Sequence, residues 1–223
     1  MAMAVMSRLA RLPNAWLLLS LVVLVMVYPF MQPFTAGRAA MAVFDLAVLL
    51  LALRAARATG PQARIGYVLV WPAIALHIGA AFLPNAWLVP ANLATQAVFH
   101  AFVVVCLLRY MLSDEVMTLD ELFAAAGLYV LMAFVFAYLY ALVEVFTPGA
   151  FFINPSNDLD GVTGWWELLY FSFTCLSSVG FGEITPVSDH ARSLVMVQQM
   201  LGVLYIALVI SRLVAMQASR TRR

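Results

Sequence analysis

The chain contains no lysine: all 12 basic residues are arginine, and only 10% of its residues are charged. With 65% hydrophobic residues, a net charge of +1 and a mean hydropathy of +0.98, a soluble globular protein is excluded. Nothing in so small a charge excess points to nucleic acid, and no nucleic-acid partner is expected. Cysteine is scarce too. Cys106 and Cys175 fall inside apolar segments in no metal or redox spacing, so two buried thiols are expected. Signatures of catalysis are missing as well. There is no His-Glu-x-x-His, no paired intramembrane aspartates and no nucleophile elbow, so no enzyme and no cofactor is expected. No internal repeat is apparent, whereas transporters often carry inverted repeats with broken helices in both halves.

What the chain does have is length in apolar runs. Six stretches, roughly 14–34, 39–57, 65–84, 87–111, 119–147 and 190–217, are each long enough to cross a hydrocarbon core of about 30 Å. A seventh, at 163–177, is too short and too polar at its start to span, and reads as a re-entrant helix. Arg8 and Arg11 before the first run imitate a signal peptide. The run is longer than a usual signal core, however, and a retained first helix is expected. Short turns at 32–37, 58–61 and 83–85 predict an up-down bundle for the first four spans.

Arginine placement predicts orientation. With a cytoplasmic N-terminus, Arg8, Arg11, Arg54, Arg57, Arg64, Arg109, Arg212, Arg220, Arg222 and Arg223 lie inside, and only Arg38 and Arg192 lie outside. That bias favours a multi-pass protein with both termini cytoplasmic. The segment 148–189 is then external, and Trp165 and Trp166 fall at the outer interface. Thr118 with Glu121 forms a capping box that predicts the start of the fifth helix.

Residues 174–186 read Thr-Cys-Leu-Ser-Ser-Val-Gly-Phe-Gly-Glu-Ile-Thr-Pro. Gly180 and Gly182 tolerate backbone angles that a Cβ forbids, so this stretch can run extended with its carbonyls facing one way. Exposed carbonyls at membrane depth are tolerated only when they line a cavity or are buried in protein. A row of such carbonyls can replace water around a dehydrated monovalent cation.

In Ser178-Val179-Gly180-Phe181-Gly182-Glu183 the sequence resembles the Thr-Val-Gly-Tyr-Gly-Asp signature of the potassium-channel pore family. The motif likeness covers about 163–186, and the helix–loop–helix pattern extends over roughly 119–217. The resemblance implies an all-α membrane protein of six transmembrane helices, with a re-entrant pore helix and selectivity filter between helices 5 and 6. It also implies a homotetramer, because one chain supplies one filter strand. The organisation is then a four-helix domain at 1–111, a cytoplasmic linker at 112–118, a pore domain at 119–217 and a short tail at 218–223. No soluble regulatory domain is expected after the last helix. Together with the resemblance, compact length and an Ala/Arg-rich composition suggest a bacterial inner (plasma) membrane, with membrane lipid as the surrounding partner.

By the same resemblance, potassium is the permeant ion, held by the backbone carbonyls of Ser178, Val179, Gly180 and Phe181, with Gly182 completing the filter. Tyr170, Phe171, Thr174, Ser177 and Glu183 would support it, Tyr170 being the aromatic partner of Glu183. Ser178 in place of Thr keeps the hydroxyl, Phe181 in place of Tyr loses a phenolic hydrogen bond, and Glu183 in place of Asp has a longer arm. These departures put filter rigidity in question and leave a weakly selective cation channel open. A non-conducting regulatory subunit and a membrane transporter also stay open as rival readings.

Gly202 stands 22 residues after Gly180, at the family's inner-helix hinge position, and is read either as a hinge or as a close-packing site. Val203, Ile206, Ile210 and Val214 share one face, as a dewetting gate or as ordinary packing. Glu144, Asp158, Asp160, Glu167, Glu183 and Asp189 form a candidate acidic vestibule. The fourth span has no arginine before Arg109, so weak voltage dependence is expected. Asp45 and His77 lie at similar depth and form a candidate pH-sensing or static pair, while His100 reads as a satisfied interior group.

Overall fold

The computed structural model describes residues 12–31, 63–82, 86–113, 118–156 and 163–221, together with 47, 48, 50–52 and 54. Asp45, Asp158, Asp160, most of the expected second span, linker residues 114–117 and residues 222–223 lie outside the described residues. In chain order the elements are helices α1 (Pro13–Met31), α2 (Ala63–Phe82), α3 (Leu88–Ser113) and α4 (Leu119–Phe146), strand β1 (Phe151–Ile153), helix α5 (Trp165–Leu176), strand β2 (Ile184–Pro186) and helix α6 (Asp189–Thr221). The described residues among 47–54 are helical as well.

Local chemistry explains the boundaries. Pro13 opens α1, where the missing N–H would find no partner anyway. Thr118 caps α4 in an extended conformation, its Oγ1 accepting from the Glu121 backbone N–H at 3.3 Å. By length and composition the segments Pro13–Phe30, Leu88–Leu112, Leu119–Phe146 and Asp189–Val214 are candidate membrane spans. The apolar part of α2, Ile65–Ala80, is shorter. Helices suit such segments because each backbone group is satisfied within its own element.

Contacts at the helix ends establish direction. At one end of the bundle, Asn14 at the start of α1 and Tyr110 near the end of α3 both meet Asp120 at the start of α4. At the opposite end, Tyr28 of α1 stacks on Trp166 of α5 with ring centroids 4.4 Å apart. Helices α1 and α4 therefore run parallel, and α3 runs against them. A buried apolar core joins α1, α2, α3 and α4, with Leu17, Leu21, Phe99, Leu128 and Phe134 among its members. A second cluster, built from Phe136, Tyr140, Phe151, Phe171, Cys175 and Ile184, lies among α4, α5 and the two strands.

The strands pair antiparallel with Phe152 opposite Thr185, and they tie the segment after α4 to the segment after the α5 loop. Asn154 N–H donates to the Glu183 carbonyl at 2.9 Å, extending the pairing. The short helix α5 and its loop are thus held between two long helices and braced by a ribbon.

Candidate functional site

The last turn of α5 is drawn into the loop that follows. Ser177 caps the helix. The Ser178 N–H then donates to the Cys175 carbonyl at 3.1 Å, and the Val179 and Gly180 N–H groups both donate to the Thr174 carbonyl, at 3.0 and 3.2 Å. Thr174 holds its own hydroxyl back on the Phe171 carbonyl at 2.8 Å, and the Ser177 hydroxyl donates to the Phe173 carbonyl at 2.8 Å. The donors of the loop therefore point toward the helix. Among the described residues, no hydrogen bond ends on the carbonyls of Ser178, Val179, Gly180, Phe181 or Gly182.

The backbone hand alternates. Ser178, Gly180 and Gly182 have φ of 58°, 54° and 83°, while Val179 and Phe181 between them do not enter the positive region. Glycine takes such angles freely, but a serine there is uncommon. Alternating hand along a stretched segment rotates successive peptide planes, so that carbonyls that would alternate in a strand come to share a side. The loop is exposed in the single chain, with Phe181 67% accessible.

Behind the loop, Tyr170 meets Glu183. Its hydroxyl donates to Glu183 Oε2 at 2.9 Å, and its ring lies parallel to Phe181 with centroids 6.5 Å apart. Partial burial and the Glu183 carboxylate raise the Tyr170 phenol above its ordinary range, so it remains a donor at neutral pH. Phe171 faces elsewhere: it packs on Tyr140 and Phe151, at 5.4 and 5.6 Å. One residue of helical rotation separates the two roles. Phe171 anchors α5 to α4 and β1, and Tyr170 ties α5 to Glu183 and Phe181 of the loop.

The inner face of α6 carries contacts that its sequence announced only in part. Ala191, Val195, Gln198, Gly202 and Tyr205 are buried, whereas Val203, Ile206, Ile210 and Val214 are exposed. A Cβ built on Gly202 would collide with the Leu176 carbonyl oxygen and lie 3.2 Å from Leu176 Cδ1. Of the two readings of this glycine, close packing against α5 is the one with a contact behind it. Gln198 was overlooked. Its amide reaches Ser172, and the Tyr140 hydroxyl reaches its oxygen. The adjacent amides Gln198 and Gln199 in an apolar run are the available signal, and only the first of them is buried.

The remaining candidates separate. Glu144, a candidate vestibule residue, accepts from the Gly149 and Phe151 N–H groups at 2.7 and 3.2 Å and so folds the turn after α4. Glu167 lies in the first turn of α5 and Asp189 in that of α6, where a carboxylate suits the positive end of the helix. His77 of α2 interacts with Asn92 of α3, and its expected partner Asp45 is outside the described residues. His100 is buried, with Nδ1 donating to the Gln96 carbonyl at 2.8 Å and its ring against Phe134 and Tyr138. Cys106 and Cys175 are buried and form no disulfide. Among the described residues no cluster of histidine, cysteine or acidic groups could hold a metal ion.

A long helix, a short helix, a loop whose carbonyls accept no hydrogen bond among the described residues, and a second long helix follow one another along the chain. Residues 128–218, from within α4 to near the end of α6, match a family model described as "Ion channel". Residues 128–218 thus carry a segment similar to an ion-channel domain, a class without catalytic chemistry. No curated protein and no solved structure matches the chain.

Proposed function

We propose that the chain is the subunit of a homotetrameric potassium channel of six transmembrane helices, with both termini cytoplasmic and its home in the bacterial inner (plasma) membrane. Four copies of the loop surround a common axis. The carbonyls of Ser178, Val179, Gly180 and Phe181 replace the hydration shell of potassium, and Gly182 lets the strand turn outward to Glu183. Permeation is passive, driven by the ion gradient, and requires no cofactor. The four peripheral helices of 1–111 surround the pore domain of 119–217, and the exposed stripe Val203, Ile206, Ile210 and Val214 faces the conduit.

The observation that carries this reading is the loop backbone itself. Its φ alternates in sign at Ser178, Gly180 and Gly182, and its carbonyls accept no hydrogen bond among the described residues. Unbonded carbonyls at membrane depth call for another partner, because each unsatisfied group there costs several kcal/mol. A desolvated cation is such a partner, and the ion-channel match over 128–218 supports it. Charge on the loop side fits: Glu167 and Glu183 flank the mouth, and the described cation there, Arg192, pairs with Asp189 at 3.9 Å.

Reconstitution into liposomes tests the reading. Purified protein should pass potassium, lose the flux on adding barium, and reverse near the potassium equilibrium potential under opposed potassium and sodium gradients. Reversal near zero would replace it with a weakly selective cation channel. A silent but tetrameric particle would favour a non-conducting regulatory subunit.

A further inference from the structure

Gln198 lies at the crossing of α4, α5 and α6 and is fully buried, as are Ser172 and Tyr140. Its Nε2 donates to the Ser172 carbonyl at 3.0 Å and to Ser172 Oγ at 2.7 Å. Ser172 Oγ in turn donates to the Ala133 carbonyl at 2.7 Å, and the Tyr140 hydroxyl donates to Gln198 Oε1. Every direction in this network is forced. A carbonyl can only accept, so the nitrogen of the amide must face Ser172 and its oxygen must face Tyr140. Both amide hydrogens, the serine hydroxyl and the tyrosine hydroxyl are used.

A fully satisfied network in an apolar interior is rigid, because moving one member strands the others without water to replace them. Here it links the backbone of α5 to α6 at Ser172, six residues before Ser178. Gly202, one turn further along α6, meets the Leu176 carbonyl two residues before Ser178. The helix that ends in the loop is therefore seated on α6 at two points, one polar and one steric.

We propose that Gln198 is a positioning residue for permeation: it holds α5, and through α5 the Ser178–Gly182 backbone, in the ion-accepting conformation, and makes that conformation depend on the seat of α6. The inference rests on the potassium-channel reading. With the amide gone, α5 keeps its apolar packing and the Gly202 contact but loses its polar tie. The loop then leaves its alternating backbone more readily, and an ion held in the loop opposes the change.

Single-channel recording of the full chain in bilayers tests this with wild type, Gln198→Met, Ser172→Ala and Tyr140→Phe. Gln198→Met and Ser172→Ala should shorten conducting periods about fivefold at low external potassium, the factor expected from about one net hydrogen bond. Unit current should be unchanged, and high external potassium should restore the periods. Tyr140→Phe keeps both bonds to Ser172 and should shorten them less. Wild-type periods in assembled Gln198→Met and Ser172→Ala, or shortened periods that ignore potassium, would overturn the proposal. If Gln198→Met fails to assemble, Ser172→Ala decides alone, since it removes one hydroxyl and little volume. A wild-type chain that passes no potassium would instead sink the channel reading beneath it.

Discussion

Gly202 of the inner helix rests against the carbonyl oxygen of Leu176, the last residue of the short helix that leads into the loop. No side chain fits between them. Gly202→Ala must push the two helices apart or bend one of them, at a cost of about 1–3 kcal/mol for overpacking. Thermal melting of the purified assembly should show a clear loss of stability. If Gly202 acted only as a hinge, alanine would favour the straight helix and the assembly would melt at or above the wild-type temperature, so the sign of the shift separates the two readings.

Asp120 receives the Asn14 backbone N–H at 3.2 Å and side-chain amide at 2.6 Å, and the Tyr110 hydroxyl at 3.3 Å. One carboxylate thus fastens the starts of α1 and α4 and the end of α3, and it sits at the positive ends of two helices. Asp120→Ala leaves the buried Asn14 amide without its acceptor and should cost about 1–3 kcal/mol. Asp120→Asn, which keeps one acceptor oxygen, should lose less. A double-mutant cycle with Asn14→Ala in thermal melts should be non-additive, and strict additivity would show that the contact contributes nothing.

Voltage should act weakly on this chain. Helix α3 carries one arginine, Arg109, near its end. A charge crossing the whole field gains about 2.3 kcal/mol per 100 mV, so a steep response needs several such charges per subunit. The conductance–voltage relation of the reconstituted channel should be shallow. A steep relation would require moving charge that α3 does not contain.

The parts of the molecule legible in the sequence are those governed by local rules. Apolar length located α1, α3, α4 and α6, the Thr118 cap placed the start of α4, and the glycine pair at Gly180 and Gly182 marked the loop that has the positive φ values. The Tyr170–Glu183 bond was legible only through the family resemblance. What stayed hidden depends on residues meeting across the fold. Asn14 and Asp120 are 106 positions apart, and neither carries a local sign of its partner. Gln198 reads as a polar interruption of an apolar helix until Ser172 and Tyr140 are brought to it. The ribbon of β1 and β2 has three residues per strand, too few for a period to show. Phe171 and Tyr170 are adjacent aromatics whose roles divide only when the rotation of α5 is known.

The Tyr170 hydroxyl bond to Glu183 ties α5 to the residue that follows Gly182, and in the proposed channel its removal should be visible in function. Tyr170→Phe loses a bond worth about 0.5–1.5 kcal/mol and should shorten conducting periods several-fold with little change in melting. The pH dependence has a definite sign. The phenol is raised above its ordinary value of about 10 by partial burial and by Glu183. Its contribution is therefore complete below that value and is lost only as pH rises through the raised one. Wild-type channels should lose conducting time in strong alkali, whereas Tyr170→Phe should not respond there. Equal alkaline sensitivity in both would assign the loss to another group.

Ile206 and Ile210 lie on the exposed side of α6, one step round the helix from the buried Gln198, Gly202 and Tyr205. The Tyr205 hydroxyl donates to the Ala125 carbonyl at 2.6 Å, so the helix is held to α4 at the level where this stripe begins. In the proposed tetramer, four such apolar side chains exclude water once the gap is narrow, and nothing in an apolar ring replaces an ion's hydration shell. Ile206→Asn supplies amides that hold water in the constriction. Resting potassium flux into liposomes should rise roughly tenfold, the change that about 1.4 kcal/mol off the barrier produces. Ile206→Val, which remains apolar, should leave resting flux near wild type. If the asparagine channel assembles and its resting flux is unchanged, the stripe is packing surface, and the barrier to ions lies in the Ser178–Gly182 loop itself.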